Sequence, residues 1–314
     1  IDLACGVGLG RGLFKQGPGA RILVFHGVVP REPLPLNTRF ISVARLERYL
    51  RAILHRFEVV SLAELLEGRR AADRMTVALT FDDGYLNNVT HALPVLERFC
   101  APATFFATTV HAEGHDMLWA DYVDVASHLS NRPIHVGGES FTKRRGQYVN
   151  AEGQSLKQVC AGRDWSYKRL VYDAFPEAQS RAEWLELGDY WRPMLPEQLR
   201  WLASSPLATV GVHGQVHEHL GIVPLKEASE RLSASKAQLE AWLDAPVTSL
   251  AYPDGSYTRP LLAEAEKLGF SAQLAVDYLH DDDRDDPRVH DRLTINPFVS
   301  ADVQSRAIID GHYG

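Results

Sequence analysis

Short apolar runs alternate with amphipathic stretches along most of this chain. Residues 21–29 begin Arg21-Ile22-Leu23-Val24-Phe25 and stay apolar until His26, which reads as a strand. Residues 43–57 place Leu46, Leu50, Ile53 and Leu54 at helical spacing, so an amphipathic helix is expected there. A short strand at 58–61 and a short helix at 62–66, capped by Ser61, follow. The run 75–79 is apolar and reads as a buried strand. A helix through Val89, Leu93, Val95 and Leu96 leads into a β-rich run at 103–108. The rhythm returns later: strand at 208–212, helix at about 224–243, strand at 247–251, helix at 259–268, strand at 271–276 and a last strand in 289–295. This alternation predicts an α/β fold of βα units around a parallel sheet or barrel.

Between about 111 and 195 the rhythm breaks. Residues 118–129 look helical, and 133–149 look like two strands with a break at Gly137-Gly138 and a basic tip, Lys143-Arg144-Arg145. Residues 154–184 read as mixed helices. The whole interval is read as one insertion, a lid or a substrate-shaping element. It carries Trp119, Trp165, Trp184, Trp191, Tyr167, Tyr172 and Tyr190. Such aromatics either stack on sugar rings at a cleft or build a small core of their own. Residues 1–20 are glycine-rich and read as an irregular lead-in; no strand precedes the glycines, so they are not a dinucleotide fingerprint. The expected organisation is therefore a lead-in at 1–20 and a single domain at 21–314 with an insertion at about 111–195. The acidic run 281–286 is read as a solvated loop.

Charge and composition narrow the partners. The formal net charge of -7 excludes the basic footprint of a nucleic-acid binder. No apolar run approaches about 18 residues, so no transmembrane helix is expected. Cys5, Cys100 and Cys160 are widely spaced and odd in number, which suits neither a disulfide framework nor a cysteine zinc site. Free thiols and the lack of a recognisable signal peptide lean towards a cytoplasmic location. The sequence starts without an initiator Met, which leaves an upstream segment open. Oligomeric state is not legible.

Polar residues gather where strands end: His26, Asp82-Asp83, His213 with His217, and Asp254. In α/β folds these carboxyl ends share one face, where sites form. Adjacent carboxylates repel, and one cation or one proton relieves them. The plain alternative is a turn and a helix N-cap. His213 and His217 are four apart, so in a helical or turn segment both imidazoles face one side and can share a metal. With one Asp they make a three-ligand site with an open position for water, the catalytic pattern for zinc. A surface pair is the plain alternative.

Thr80-Phe81-Asp82-Asp83-Gly84 and Val210-Gly211-Val212-His213-Gly214-Gln215-Val216-His217 resemble the first two motifs of polysaccharide deacetylases, the NodB-type carbohydrate esterase family 4. Leu250-Ala251-Tyr252-Pro253-Asp254-Gly255 resembles the third. The resemblance covers 21–110 and 195–295. It implies an irregular (β/α)7-type barrel and a metal-dependent hydrolase that removes an acetyl group from an N-acetylated sugar. It implies a divalent metal, zinc first, with cobalt, nickel or manganese as alternatives, held by Asp83, His213 and His217. It implies Asp82 as general base and the backbone N–H of Asp254 as an oxyanion donor.

Two positions depart from the family pattern. The third motif usually has an Arg before its Pro, and here Ala251 stands there; the usual late Leu-x-His that supplies the general acid is not evident. Val24-Phe25-His26 resembles the first strand of the circularly permuted poly-N-acetylglucosamine deacetylase branch, which implies His26 as general acid. Its alternative is a core histidine. Asp291-Arg292-Leu293-Thr294-Ile295 resembles a late strand of that branch, so Arg292 either supplies the missing cation beside Asp82 or makes a surface ion pair. The expected function is de-N-acetylation of a polysaccharide or glycan precursor, in surface-polysaccharide or lipopolysaccharide synthesis. The alternatives are an amidohydrolase or deformylase on a non-polymeric substrate, and a non-catalytic glycan-binding relative.

Overall fold

The computed structural model describes residues 14–179 and 182–313; residues 1–13 of the expected lead-in, Cys5 included, lie outside the described residues. Fourteen strands are described: β1 (Gly19–Phe25), β2 (Val28–Val29), β3 (Ile41–Ser42), β4 (Glu58–Val60), β5 (Met75–Phe81), β6 (Ala103–Ala107), β7 (Ile134–Val136), β8 (Glu139–Arg144), β9 (Gln147–Val149), β10 (Ala208–Val212), β11 (Ser249–Ala251), β12 (Ala272–Leu274), β13 (Val289–His290) and β14 (Leu293–Thr294).

Strand β5 organises the sheet. All its residues are buried, as a strand covered on both faces requires. It pairs along its whole length with β1 and takes β4 and β6 on its other edge. The sheet runs β13-β12-β11-β10-β6-β5-β1-β14, and every pairing in it is parallel. Its two edge strands belong to one segment, separated by Asp291 and Arg292 alone. That segment pairs first with β12 and then with β1, so the chain itself bridges the gap. The result is the curled α/β barrel that the alternation predicts.

Side-chain alternation then sorts the strands' residues into two cores. Ile22, Ala78, Phe106, Ala251 and Leu274 meet inside the curl. Leu23, Leu79, Phe105, Val210 and Leu250 face the surrounding helices. Carrying the inward phase two residues at a time leads from Ile22 to His26, from Ala78 to Asp82 and from Gly211 to His213. The barrel's mouth is thus polar for the same reason that its interior is apolar.

Between β6 and β10 the chain leaves the sheet and builds a second core, with Trp119, Tyr122, Phe141, Tyr148 and Trp191 buried in it. Trp165, Tyr167, Tyr172, Tyr190 and Trp184 pack against that core, so most of these aromatics are structural. The stretch expected as two strands is three, β7 to β9, paired antiparallel. The second turn was hidden because Arg145, with φ of 50°, takes a left-handed conformation beside Gly146. The acidic loop also differs from expectation. Asp283 is buried, accepting hydrogen bonds from Tyr257 Oη and Arg259 Nε (2.7 Å). Cys100 and Cys160 are free. Among the described residues no helix is long and apolar enough to cross a membrane.

The second core is tied to the barrel beside the Asp82-Asp83 turn. Leu86 N–H donates to Arg192 O (2.7 Å) and Met194 N–H to Gly84 O (2.9 Å). The Tyr85 hydroxyl lies 3.0 Å from Asp83 Oδ2 and 2.9 Å from Asp121 Oδ1, on the helix Trp119–Leu129. One hydroxyl hydrogen cannot serve two carboxylates, so one carboxyl group holds a proton. Burial, then the charge of Asp83, push Asp121 up to about 8, which makes Asp121 the protonated partner.

Two expectations follow for stability. A Cβ at Gly211 would stand 2.4 Å from the buried Phe106 ring and 2.5 Å from Ser249 Oγ. Gly211→Ala should cost about 2 kcal/mol, read as a lower urea midpoint at unchanged slope. Asp121, with its raised pKa, binds its proton more tightly folded than unfolded. Its contribution to stability therefore falls as pH rises from about 4, its ordinary value, to about 8. In chelator-treated protein, Asp121→Asn should be more stable than wild type at pH 8.5, with an advantage that shrinks towards pH 5. A constant difference across that range would assign the proton elsewhere.

Candidate active site

The two carboxylates reach one mouth because the backbone turns over between them. Asp82 N–H still donates to Phe25 O (3.0 Å), in register with β1. Asp83 (φ 73°) and Gly84 (φ 68°) then both take the left-handed region. This breaks the alternation that would send Asp83 to the outer face. His217 (φ 53°) and Asp254 (φ 50°) are left-handed as well. Each such residue costs about 1 kcal/mol or more, and strain of this kind clusters at functional sites. The expected helical or turn register of His213 and His217 takes this form: His213 ends β10, with its N–H on Ala107 O (2.8 Å), and His217 sits in the strained loop beyond.

Asp83, His213 and His217 are all buried, and their donor atoms lie within 4.8 Å of one another. Asp83 Oδ1 is 3.4 Å from His213 Nε2 and 3.2 Å from His217 Nε2. His213 Nδ1 is 2.8 Å from the carbonyl of Ala251, which only accepts, so Nδ1 carries the hydrogen. In the neutral ring the lone pair of Nε2 therefore faces a carboxylate oxygen, and Asp83 Oδ1 is buried without a hydrogen-bond partner. Converging lone pairs of this kind fit a divalent cation, and two imidazoles with one carboxylate fit zinc. Burial opposes charge on Asp83, but Arg39, then His217 and His213, outweigh it and hold its pKa well below the usual range.

Asp82 is paired differently. Both its oxygens accept from Arg292, Oδ1 from Nη1 and Oδ2 from Nη2, each at 2.7 Å. Arg292 also donates from Nε to Ala275 O (2.9 Å) and from Nη1 to Thr80 Oγ1 (3.2 Å). Both residues are 3% exposed, so this is a buried, forked pair and not a surface one. Burial alone would raise the Asp82 pKa; Arg292 and then His213 bring it below the usual value, and the carboxylate stays ionised. Ala251, two residues before Pro253, contributes its backbone, since its carbonyl fixes the His213 tautomer.

His26 is half-buried at the end of β1, and its carbonyl accepts from Asn88 Nδ2 (2.9 Å). Burial, then Arg39, push its ring down to about 4 against the opposing pull of Asp83 and Asp82. The free ring is therefore neutral at neutral pH. Asp254 Oδ2 accepts from His219 Nε2 (2.7 Å) and lies 3.8 Å from His217 Nδ1. Burial works against its charge, but His217 and His219 hold its carboxyl far below the usual range.

Several residues with no role in the sequence reading border the site. Arg39 Nη1 is 3.6 Å from Asp83 Oδ2. Trp119 Nε1–H donates to His217 O (2.8 Å), and Glu218 forms a buried ion pair with Arg231 just behind. A cleft of about 300 Å3 opens over this group, lined by Arg39, Trp119, Lys157, His217, His219 and Asp254. Tyr85, His219 and Glu218 stand inside or beside the motifs, which is a usable signal. Arg39 follows a proline-rich loop without period, and nothing local marks it.

The polysaccharide deacetylase family model matches residues 69–273. No curated protein matches the chain in sequence. In structure the chain is similar to the Streptococcus pyogenes deacetylase PplD in complex with acetate, with a TM-score of 0.59 and 15% identity over 92% of this chain and 97% of that one. It is similar to IcaB from Ammonifex degensii, with a TM-score of 0.58 and 19% identity over 93% and 98%. It is also similar to a de-N-acetylase from Aggregatibacter actinomycetemcomitans, with a TM-score of 0.52 and 15% identity over 90% and 96%. These likenesses concern the fold. The family match spans well over half of the chain and takes in Asp82, Asp83, His213, His217 and Asp254, while His26 and Arg292 fall outside it. The chain belongs to the polysaccharide deacetylase family.

Proposed function

We propose that the protein is a metal-dependent hydrolase that removes the acetyl group from an N-acetylated sugar of a polysaccharide or glycan precursor. The observation that carries this reading is the pairing of two unlike carboxylates at one buried mouth. Asp83 Oδ1 faces Nε2 of both imidazoles, as a ligand sharing one metal with them does. Asp82 is kept ionised by Arg292 and remains free to take a proton. The fold shared with a protein described as a de-N-acetylase fits the amide as the bond cleaved.

Asp83, His213 and His217 would hold the divalent ion, zinc first, with cobalt, nickel or manganese as alternatives. When bound, such an ion supplies a water of lowered pKa and polarises the acyl carbonyl. Asp82 takes the proton from the attacking water; Arg292 fixes the direction of its lone pairs and keeps it from protonating in the resting state. The backbone N–H of Asp254 helps hold the oxyanion. His26 delivers a proton to the leaving amine. It starts neutral, so it takes that proton from solvent within the complex, as negative charge developing beside it raises its affinity, and Asp82 returns the water's proton to solvent. The biosynthetic setting we propose is surface polysaccharide or lipopolysaccharide synthesis.

Acetate release from N-acetylated oligosaccharides, with zinc or cobalt supplied, tests the reading. Asp82→Asn should lower kcat by about 100- to 10,000-fold, while elemental analysis finds metal content unchanged. No release from any N-acetylated sugar by metal-loaded protein would sink the proposal. His26→Ala should lower kcat on amides by about 100-fold and spare aryl acetates, whose leaving group needs no proton. Equal losses on both substrates would remove His26 from the acid role.

A further inference from the structure

The basic tip of the second core has a place that deacetylation alone leaves unexplained. Lys143 and Arg145, at the β8–β9 turn, line a cleft of about 550 Å3. The segment 35–39, the helix Trp119–Leu129 and residues 155–157 complete its walls. Arg39 and Lys157 line this cleft and also the smaller one over His217 and Asp254, so the two adjoin.

Of the cations lining it, Arg39 lies beside Asp83 and Lys157 beside Asp124, which leaves Lys143 and Arg145 in excess. That excess stands within a chain whose formal net charge is -7. Asp124 Oδ2 is 2.8 Å from Lys157 Nζ and is thereby occupied. Lys143 Nζ donates to Ser130 O (2.9 Å) and Asn131 Oδ1 (3.0 Å), both neutral. Arg145 is exposed at the rim. Among the described residues neither Lys143 nor Arg145 makes an ion pair with a carboxylate.

A neutral N-acetylated polymer gives such a cleft nothing to bind by charge. Its deacetylated product carries ammonium groups, which the cleft would repel. A sugar bearing a carboxylate or phosphate beside the N-acetylated one meets the cations and offsets the new ammonium. We propose that this cleft binds the anionic group of a neighbouring sugar, so that the substrate is an acidic glycan. This rests on the deacetylase reading for its substrate and on the cleft for its charge.

The test compares three oligosaccharides of equal length: N-acetylglucosamine alternating with glucuronic acid, its carboxyl-reduced counterpart, and a phosphorylated N-acetylglucosamine oligomer. Amine release gives kcat/KM, and calorimetric titration of zinc-loaded Asp82→Asn gives affinity without turnover. An anionic oligomer should be preferred over the reduced one by about tenfold or more. That preference should shrink as salt rises from about 50 to 500 mM. Arg145→Asn, which tolerates the left-handed backbone, should reduce the preference several-fold, and Arg145→Lys should keep it. The carboxylate and phosphate arms identify which group is bound. Equal affinity for anionic and reduced oligomers would overturn the inference. Preferential binding of an anionic oligomer without amine release would keep the cleft's role and reject the deacetylase reading.

Discussion

Two adjacent carboxylates at one buried mouth repel each other unless each has its own positive partner, and the site is arranged around that requirement. Asp82 has the fork of Arg292 on both its oxygens. Asp83 has Arg39 and the two imidazoles. A buried ion pair adds little net stability, because desolvation consumes most of the attraction. What the Asp82–Arg292 pair contributes is position: the carboxylate plane is fixed and its charge is kept. Removing Arg292 would strand a negative charge in a buried mouth, which is far costlier than never having built the pair.

The barrel determines where that arginine comes from. One short segment pairs with β12 through β13 and with β1 through β14, and Arg292 sits at the crossing. Its Nε is anchored on Ala275 O and its Nη1 on Thr80 Oγ1, so it reaches Asp82 from the wall opposite His213 and His217. The inward phase of the strands places His26, Asp82 and His213. The three left-handed residues, Asp83, His217 and Asp254, deliver side chains that phase alone would misdirect. Their strain is sustained by a sheet whose central strand is buried along its whole length.

This division marks what the sequence reveals. Strands β1, β5, β6 and β10 are legible because apolar runs and inward alternation agree. Asp82 and His213 are legible because they continue that alternation into polar residues. The approach of Asp83 to the same mouth is not, since it depends on positive φ at a non-glycine residue. Arg145 hid the second turn of the β7–β9 meander for the same reason. Asp283 looked solvated because its acidic neighbours dominate the local pattern, whereas its partners Tyr257 and Arg259 lie more than twenty residues away. Arg39 and Asp121 reach the site through tertiary contacts that no local period encodes.

The second core is bound up with the ligand set itself. Trp119 holds the carbonyl of His217, and Asp121 holds Tyr85, which holds Asp83. His213 is fixed through Ala251 O, in the barrel. Two of the three clustered residues therefore also take contacts from one helix, Trp119–Leu129. The helix also forms a wall of the basic cleft, with Asp124 and Ser127 on it. One helix therefore borders both the basic cleft and the cluster of Asp83 and His217.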